Sequence, residues 1–292
     1  MQVQADEGDL KKKRKTIPRT NYEKNYLPLF AFALLAFIPC ANAQITDGGS
    51  TSGSTANVGA IALYSSEYLG SDNEELTALP FLDVDNYKGF DFFGTTLSYR
   101  AFETGTGEGL GNWSLRVGPS LSYLPGRNSS DSETLTGLED VDGSILAGGY
   151  IRSTLGPVGF RLDAGQDIIN GSDGFTAVAS VGTSLPLGKL SFRPSASAFY
   201  GSSKFNEAFF GIDAEQSVAS GLAENDVSSG IYSYSVNLVG YYPITDKWRA
   251  DFVGSYRWFT DEADDSPIIT AEDGSDNGLL VGFGFTRQFN LP

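Results

Sequence analysis

The chain has 292 residues, 40% of them hydrophobic, with 20 basic and 36 acidic residues and a formal net charge of −16. It holds one cysteine and no histidine. That composition excludes Ser-His-Asp and Cys-His nucleophile pairs and histidine zinc sites, and the acidic balance argues against nucleic acid as a partner.

The first element in chain order is a secretory signal. A basic stretch from Lys11 to Lys15, with Arg19 and Lys24, precedes an apolar run from Leu27 to Cys40, followed by Ala41-Asn42-Ala43. A positive region, a short apolar region and an A-x-A cleavage site predict export with cleavage after Ala43. Residues 1–43 are read as the signal, with 44–55 as a flexible Gly/Ser/Thr tail and 56–292 as the folded domain. The signal carries seven basic and four acidic residues, so the mature chain is left with 13 basic and 32 acidic, a net of −19, and no cysteine. Disulfides and thiolate metal sites are thereby excluded as well.

Beyond the signal no apolar run is long enough for a membrane helix, so any crossing must be made by β-structure. The rhythm of such strands is plain from Asn112 to Tyr123. Trp113, Leu115, Val117, Pro119, Leu121 and Tyr123 alternate with Ser114, Arg116, Gly118, Ser120 and Ser122. A period of two gives one apolar and one polar face. The same pattern follows Val158, with Phe160 and Leu162 against Arg161, Asp163 and Asp167. It recurs after Leu190, with Phe192 and Tyr200 against Arg193, and after Trp248, with Phe252, Tyr256 and Trp258 against Arg249, Asp251 and Arg257. Candidate strands fall at 56–64, 76–85, 89–102, 112–124, 144–155, 157–168, 175–187, 189–200, 205–213, 229–243, 246–260 and 278–289, and helical patterning is not expected. The fold class predicted is an all-β, antiparallel, up-and-down transmembrane β-barrel of about twelve strands, ten being the alternative, in the outer membrane of a Gram-negative cell. Trp113, Tyr123, Tyr200, Trp248 and Trp258 are read as membrane-interface aromatics.

Charge sorts by position. Seven of the nine arginines of the mature chain (Arg100, Arg116, Arg152, Arg161, Arg193, Arg249 and Arg257) have the parity of the lumen, together with Asp163, Asp167 and Asp251. They either pair to fill a small interior, since unpaired buried charge is costly, or form a basic wall that passes small anions. Acidic residues crowd the connections, as at Asp72, Glu74 and Glu75 and again at Asp261, Glu262, Asp264 and Asp265. These are solvated loops or carboxylates sharing divalent cations with lipopolysaccharide phosphates. Neither cluster has EF-hand spacing. No catalytic residue, metal ligand or cofactor is expected.

Four stretches carry a family resemblance. They are Tyr68-Leu69-Gly70-Ser71 with Leu79-Pro80; Gly137-Leu138-Glu139-Asp140-Val141-Asp142 inside the segment that begins Gly126-Arg127; Tyr200-Gly201 through Phe209-Phe210-Gly211-Ile212 to Gln216-Ser217; and Asp261-Glu262-Ala263-Asp264-Asp265-Ser266-Pro267-Ile268-Ile269. In this order they resemble the MipA/OmpV family of outer-membrane proteins. The resemblance implies a non-enzymatic barrel that acts as a scaffold for a lytic transglycosylase and a murein-synthesising enzyme, in contact with outer-membrane lipid and lipopolysaccharide. A small arginine-lined channel and a surface adhesin are the competing functions. With twelve strands and periplasmic termini, 65–75, 103–111, 214–228 and 261–277 face outward and 125–143 faces the periplasm. Leu138, Glu139, Asp140 and Asp142 are accordingly the expected docking surface for the murein enzyme.

Overall fold

The computed structural model describes residues 54–106 and 112–292. The signal reading and most of the tail lie outside those residues, although Ser54 and Thr55 already belong to the first strand. The strands are β1 (Ser54–Ser66), β2 (Glu74–Tyr87), β3 (Phe90–Phe93), β4 (Thr96–Tyr99), β5 (Phe102–Gly105), β6 (Trp113–Leu124), β7 (Ser144–Leu155), β8 (Val158–Asp167), β9 (Phe175–Thr183), β10 (Leu185–Leu187), β11 (Leu190–Gly201), β12 (Gly230–Pro243), β13 (Trp248–Phe259) and β14 (Asn277–Leu291). Each pairs antiparallel with its neighbours, and β1 pairs with β14 from Ser54↔Leu291 to Ser65↔Leu280, so the sheet closes on itself. β4 and β5 lie end to end along β6, and β9 and β10 lie end to end along β11, so the barrel has twelve staves. Closure leaves no sheet edge, the condition for a β-protein to cross lipid.

Two local readings from sequence are corrected. The stretch 89–102 is not one strand. Gly94, at φ 60°, opens a two-residue turn that folds β3 back against β4. A positive φ at the first turn position suits hairpin twist and favours glycine. The stretch 205–213 is not a strand at all. It falls on helix α1 (Ser203–Phe210), followed by α2 (Ala214–Ser220) and a single turn, α3 (Pro267–Thr270). Phe205, Asn206, Phe209 and Phe210 are its buried residues, a spacing that matches a helical face rather than alternation. One hairpin gained and one strand lost leave the count at twelve.

They do not leave the sidedness unchanged. Ser54 and Pro292 share one end of the barrel with Thr106 and Asn112 and with the connections 88–89, 156–157, 188–189 and 244–247. The opposite end carries 67–73, 94–95, 125–143, 168–174, 202–229 and 260–276. The segment 125–143 thus emerges with the long loops, away from Ser54 and Pro292, and the ends of β5 and β6 that flank 107–111 lie at the same end as Ser54, the reverse of the expectation for both connections.

The outer surface is apolar. Leu76, Ile151, Leu155, Phe160, Val236, Val281, Phe283 and Phe285 are all exposed, and their strand neighbours in sequence point inward. An apolar belt of this extent is stable against acyl chains, not against water. Trp113 and Trp248 stand at the turn end of their strands, and Tyr123, Tyr200 and Trp258 at the loop end. Trp258 is ringed by Tyr234 and Tyr256 at 6.1 and 6.3 Å.

Candidate functional site

The inward faces of the strands carry ion pairs, a polar network and an apolar cluster. On one wall Arg249 serves two carboxylates, with Nη2 3.2 Å from Asp83 and Nε 2.7 Å from Asp251. Thr286 donates to Asp251 at 2.6 Å and Asn57 to Asp83 at 3.2 Å. Arg193 and Arg249 both face the ring of Tyr241, at 5.8 and 5.2 Å. On another wall Arg100 reaches Asp91 at 3.7 Å and Glu103 at 3.2 Å, while Arg116 meets Glu103 at 2.7 Å. Arg161 is ion-paired with Asp163, and Arg152 and Arg161 stand 5.6 and 5.1 Å from the ring of Tyr150. A small-residue network follows, in which Asn237 donates to Ser197 at 3.3 Å and to Ser235 at 3.0 Å and accepts from Ser255 at 2.7 Å. Ile61, Leu63, Leu79, Phe81, Val253 and Leu280 add an apolar cluster inside the barrel.

All seven lumen-parity arginines sit on inward faces. Asp167 is different. It accepts from Ser144, Ile169, Ser172 and Asp173, so it ties down the loop 168–174 rather than meeting an arginine. Three acids that sequence reading omitted, Asp83, Asp91 and Glu103, do most of the pairing. For Asp83 the signal was available in parity, since Leu82 faces outward and Phe81 inward. For Asp91 it was hidden by the unrecognised turn at Gly94.

The loop end is closed by a cap built around α1. Ser202 caps the helix by accepting from the Phe205 amide. Phe205, Phe209 and Phe210 then enter the barrel mouth against Leu124, Val227, Tyr232 and Phe259. Phe205 lies 5.4 Å from Tyr232 and Phe210 lies 5.8 Å from Phe259. The last carbonyls of a helix have no intrahelical partner, and here three loops supply donors. Arg127 donates to the carbonyl of Phe209 at 2.9 Å, and Asn225 and Ser266 donate to that of Phe210 at 3.0 and 2.6 Å. A cation is also favoured at this end of a helix. Burial lowers the Arg127 guanidinium to about 10, and nearby Tyr68, Asp131 and Asp140 oppose that fall.

A second cluster, Tyr68, Leu135, Leu138, Ile212 and Ile268, locks 67–73, 125–143, 202–229 and 260–276 into one unit. Leu138 is therefore buried within the cap and not offered to a partner, which corrects its assignment to a docking surface. Glu139, Asp140 and Asp142 are exposed. Asp140 accepts from the Ser129 amide at 2.6 Å, and that hydrogen bond holds its carboxyl below the usual range.

An apolar exterior, a charge-paired interior and a mouth covered by α1 define an outer-membrane β-barrel. The family model for the MltA-interacting protein MipA matches residues 58–289. The chain belongs to that family. It is 25% identical over 253 residues to the putative outer membrane protein YiaT of Escherichia coli K12, covering 84% of this chain and 92% of the relative. It is 25% identical over 206 residues to the outer membrane protein OmpV of Vibrio cholerae, covering 70% and 76%. Among solved structures, the COG4313 outer membrane channel from Pseudomonas putida F1 aligns with a TM-score of 0.37 at 12% identity, covering 81% of this chain and 96% of that one.

Proposed function

We propose that the protein is a non-enzymatic scaffold that holds a peptidoglycan-remodelling enzyme beneath the outer membrane. The observation that carries this reading is the closed mouth. With α1 seated among Leu124, Tyr232 and Phe259 and the lumen crossed by ion pairs, a role on a surface is favoured over a role in conduction. The family description, which names an interaction with MltA, a lytic transglycosylase, points to the same class of partner. Bacterial barrels keep short turns in the periplasm and long loops outside. The docking surface therefore moves from 125–143 to the end that carries 88–89, 156–157, 188–189 and 244–247. A photo-crosslinking residue placed at Lys88, Ile244 or Lys247 in whole cells is expected to capture a lytic transglycosylase, and one placed at Glu139 or Val218 is not. Capture of murein enzymes at Glu139, or at none of the turn positions, overturns the reading.

A further inference from the structure

The described strands hold seven arginines and no lysine, and six of those arginines, Arg116, Arg152, Arg161, Arg193, Arg249 and Arg257, face the lumen. Arg287 on β14 is the exception. It keeps the outward parity of Val281, Phe283, Phe285 and Phe289, all exposed, while Gly284 and Thr286 between them are buried. It stands near the turn end of its strand, directly opposite Trp248 of β13 and Val58 of β1. Both of those residues are exposed on the same face. Arg287 is thus the one cation on the lipid-facing surface of the described strands.

Nothing in the protein answers this charge. Among the described residues Arg287 makes no ion pair and no side-chain hydrogen bond, and its guanidinium stands 5.1 Å from the ring of Phe289. Its neighbours on the outward face are Trp248, Val58, Phe285 and Phe289, with no carboxylate among them. The indole N–H of Trp248 is likewise without a hydrogen bond among the described residues. Directly opposed residues of an antiparallel pair have Cβ atoms about 4.5–5.5 Å apart, so the indole and the guanidinium front one patch. Tryptophan marks the membrane–water boundary, which puts Arg287 at headgroup level. Lys88, Lys189 and Lys247, exposed at turn tips of the same end, add to the positive field, and Asp246 is the one acid among those turns.

We infer that Arg287 and Trp248 form a headgroup site for one anionic phospholipid. The phosphodiester accepts from the guanidinium and from the indole N–H, and the acyl chains run along Phe285 and Phe283. A guanidinium holds phosphate through parallel N–H groups, and tryptophan supplies a donor only. The site therefore offers donors and cations and no acceptor. A phosphatidylglycerol headgroup brings the charge that is missing here, whereas the ammonium of phosphatidylethanolamine finds no partner on this face. The site lies on the flank of the barrel and not on the end surface assigned to a murein enzyme. Its placement in the phospholipid leaflet, away from lipopolysaccharide, rests on the same sidedness as that reading, with the short turns in the periplasm.

The test is tryptophan quenching in the purified protein, reconstituted into phosphatidylcholine vesicles that carry brominated phosphatidylglycerol or brominated phosphatidylethanolamine. Both leaflets then have one composition, so the result depends neither on which end faces the periplasm nor on a protein partner. The chain has three tryptophans. Trp113→Phe/Trp258→Phe leaves Trp248 as reporter at the site, and Trp248→Phe/Trp258→Phe leaves Trp113 as reporter elsewhere on the same rim. The Trp248 reporter is expected to select phosphatidylglycerol about fivefold over phosphatidylethanolamine, the effect of one cation at an anionic surface. The Trp113 reporter is expected to select neither. Arg287→Gln should abolish the selection at Trp248, and Arg287→Lys should keep part of it. Heat-modifiable migration on gels checks that each variant is folded. If Arg287→Gln does not fold, the contrast between the two reporters decides the matter. No selection at Trp248, equal selection at both reporters, or undiminished selection in a folded Arg287→Gln overturns the inference.

Discussion

Arg249→Leu is the substitution whose cost can be reasoned most closely. Arg249 lies 3.2 Å from Asp83 and 2.7 Å from Asp251, and the three side chains are only 12 to 18% exposed. At an effective dielectric near 20, one such pair is worth roughly 4 kcal/mol of gross attraction. Desolvation offsets much of that while the pair is intact. Removing the arginine keeps the desolvation of both acids and loses the attraction, a change that typically costs about 3–5 kcal/mol. Thr286 and Asn57 still donate to the two acids, which sets the expectation toward the lower end, about 3 kcal/mol. The triple variant Arg249→Leu/Asp83→Asn/Asp251→Asn carries no stranded charge and is expected to regain about half or more of the loss. Urea unfolding in lysolipid micelles, followed by tryptophan fluorescence with m-values compared, reads both numbers. A loss under about 1 kcal/mol, or a triple variant no more stable than the single one, refutes the reasoning.

Phe210→Ala removes a fully buried ring from the cap and is expected to cost about 3–5 kcal/mol locally. Amide exchange across 203–210 should accelerate while the β11–β12 ladder stays protected, and uniform loss of protection would show that the cap is not a separate unit. Val236→Arg places a cation mid-strand on the apolar face and is expected to destabilise the protein in vesicles by about 2–4 kcal/mol; an unchanged midpoint would place that face in water. Asp140 has a lowered pKa, so its contribution to the 125–143 loop is complete above the unfolded carboxylate value near 4 and is lost as pH falls through the folded one. Exchange at the Ser129 amide should therefore be slow at pH 7 in the parent and fast in Asp140→Asn. Equal rates in the two proteins at pH 7 would contradict this.

Alternation made the barrel legible because lipid and lumen impose opposite polarities on neighbouring residues. It failed where that contrast was absent. In β3 and β4 aromatic residues occupy both faces, so Phe90 to Tyr99 read as one run and the turn at Gly94 went unmarked. In α1 the aromatics stand at 205, 209 and 210 because one helical face meets the barrel mouth, a period that a strand template does not register. The Asp213–Gln216 capping box of α2 was a readable signal of a helix, and its reciprocal hydrogen bonds are formed. The two errors offset in number but inverted the side assigned to everything between them. That inversion placed 125–143 at the wrong end. The burial of Leu138 was not readable from sequence, because it depends on Tyr68, Ile212 and Ile268, which are distant in the chain.

Recording from planar bilayers with the purified parent protein decides whether the barrel is filled and sealed. The packed lumen and the seated α1 require that no steady current flows across a range of voltages. A stable ohmic conductance from the intact protein, diminished when the lumen arginines are replaced, would mean that the interior is an open anion path.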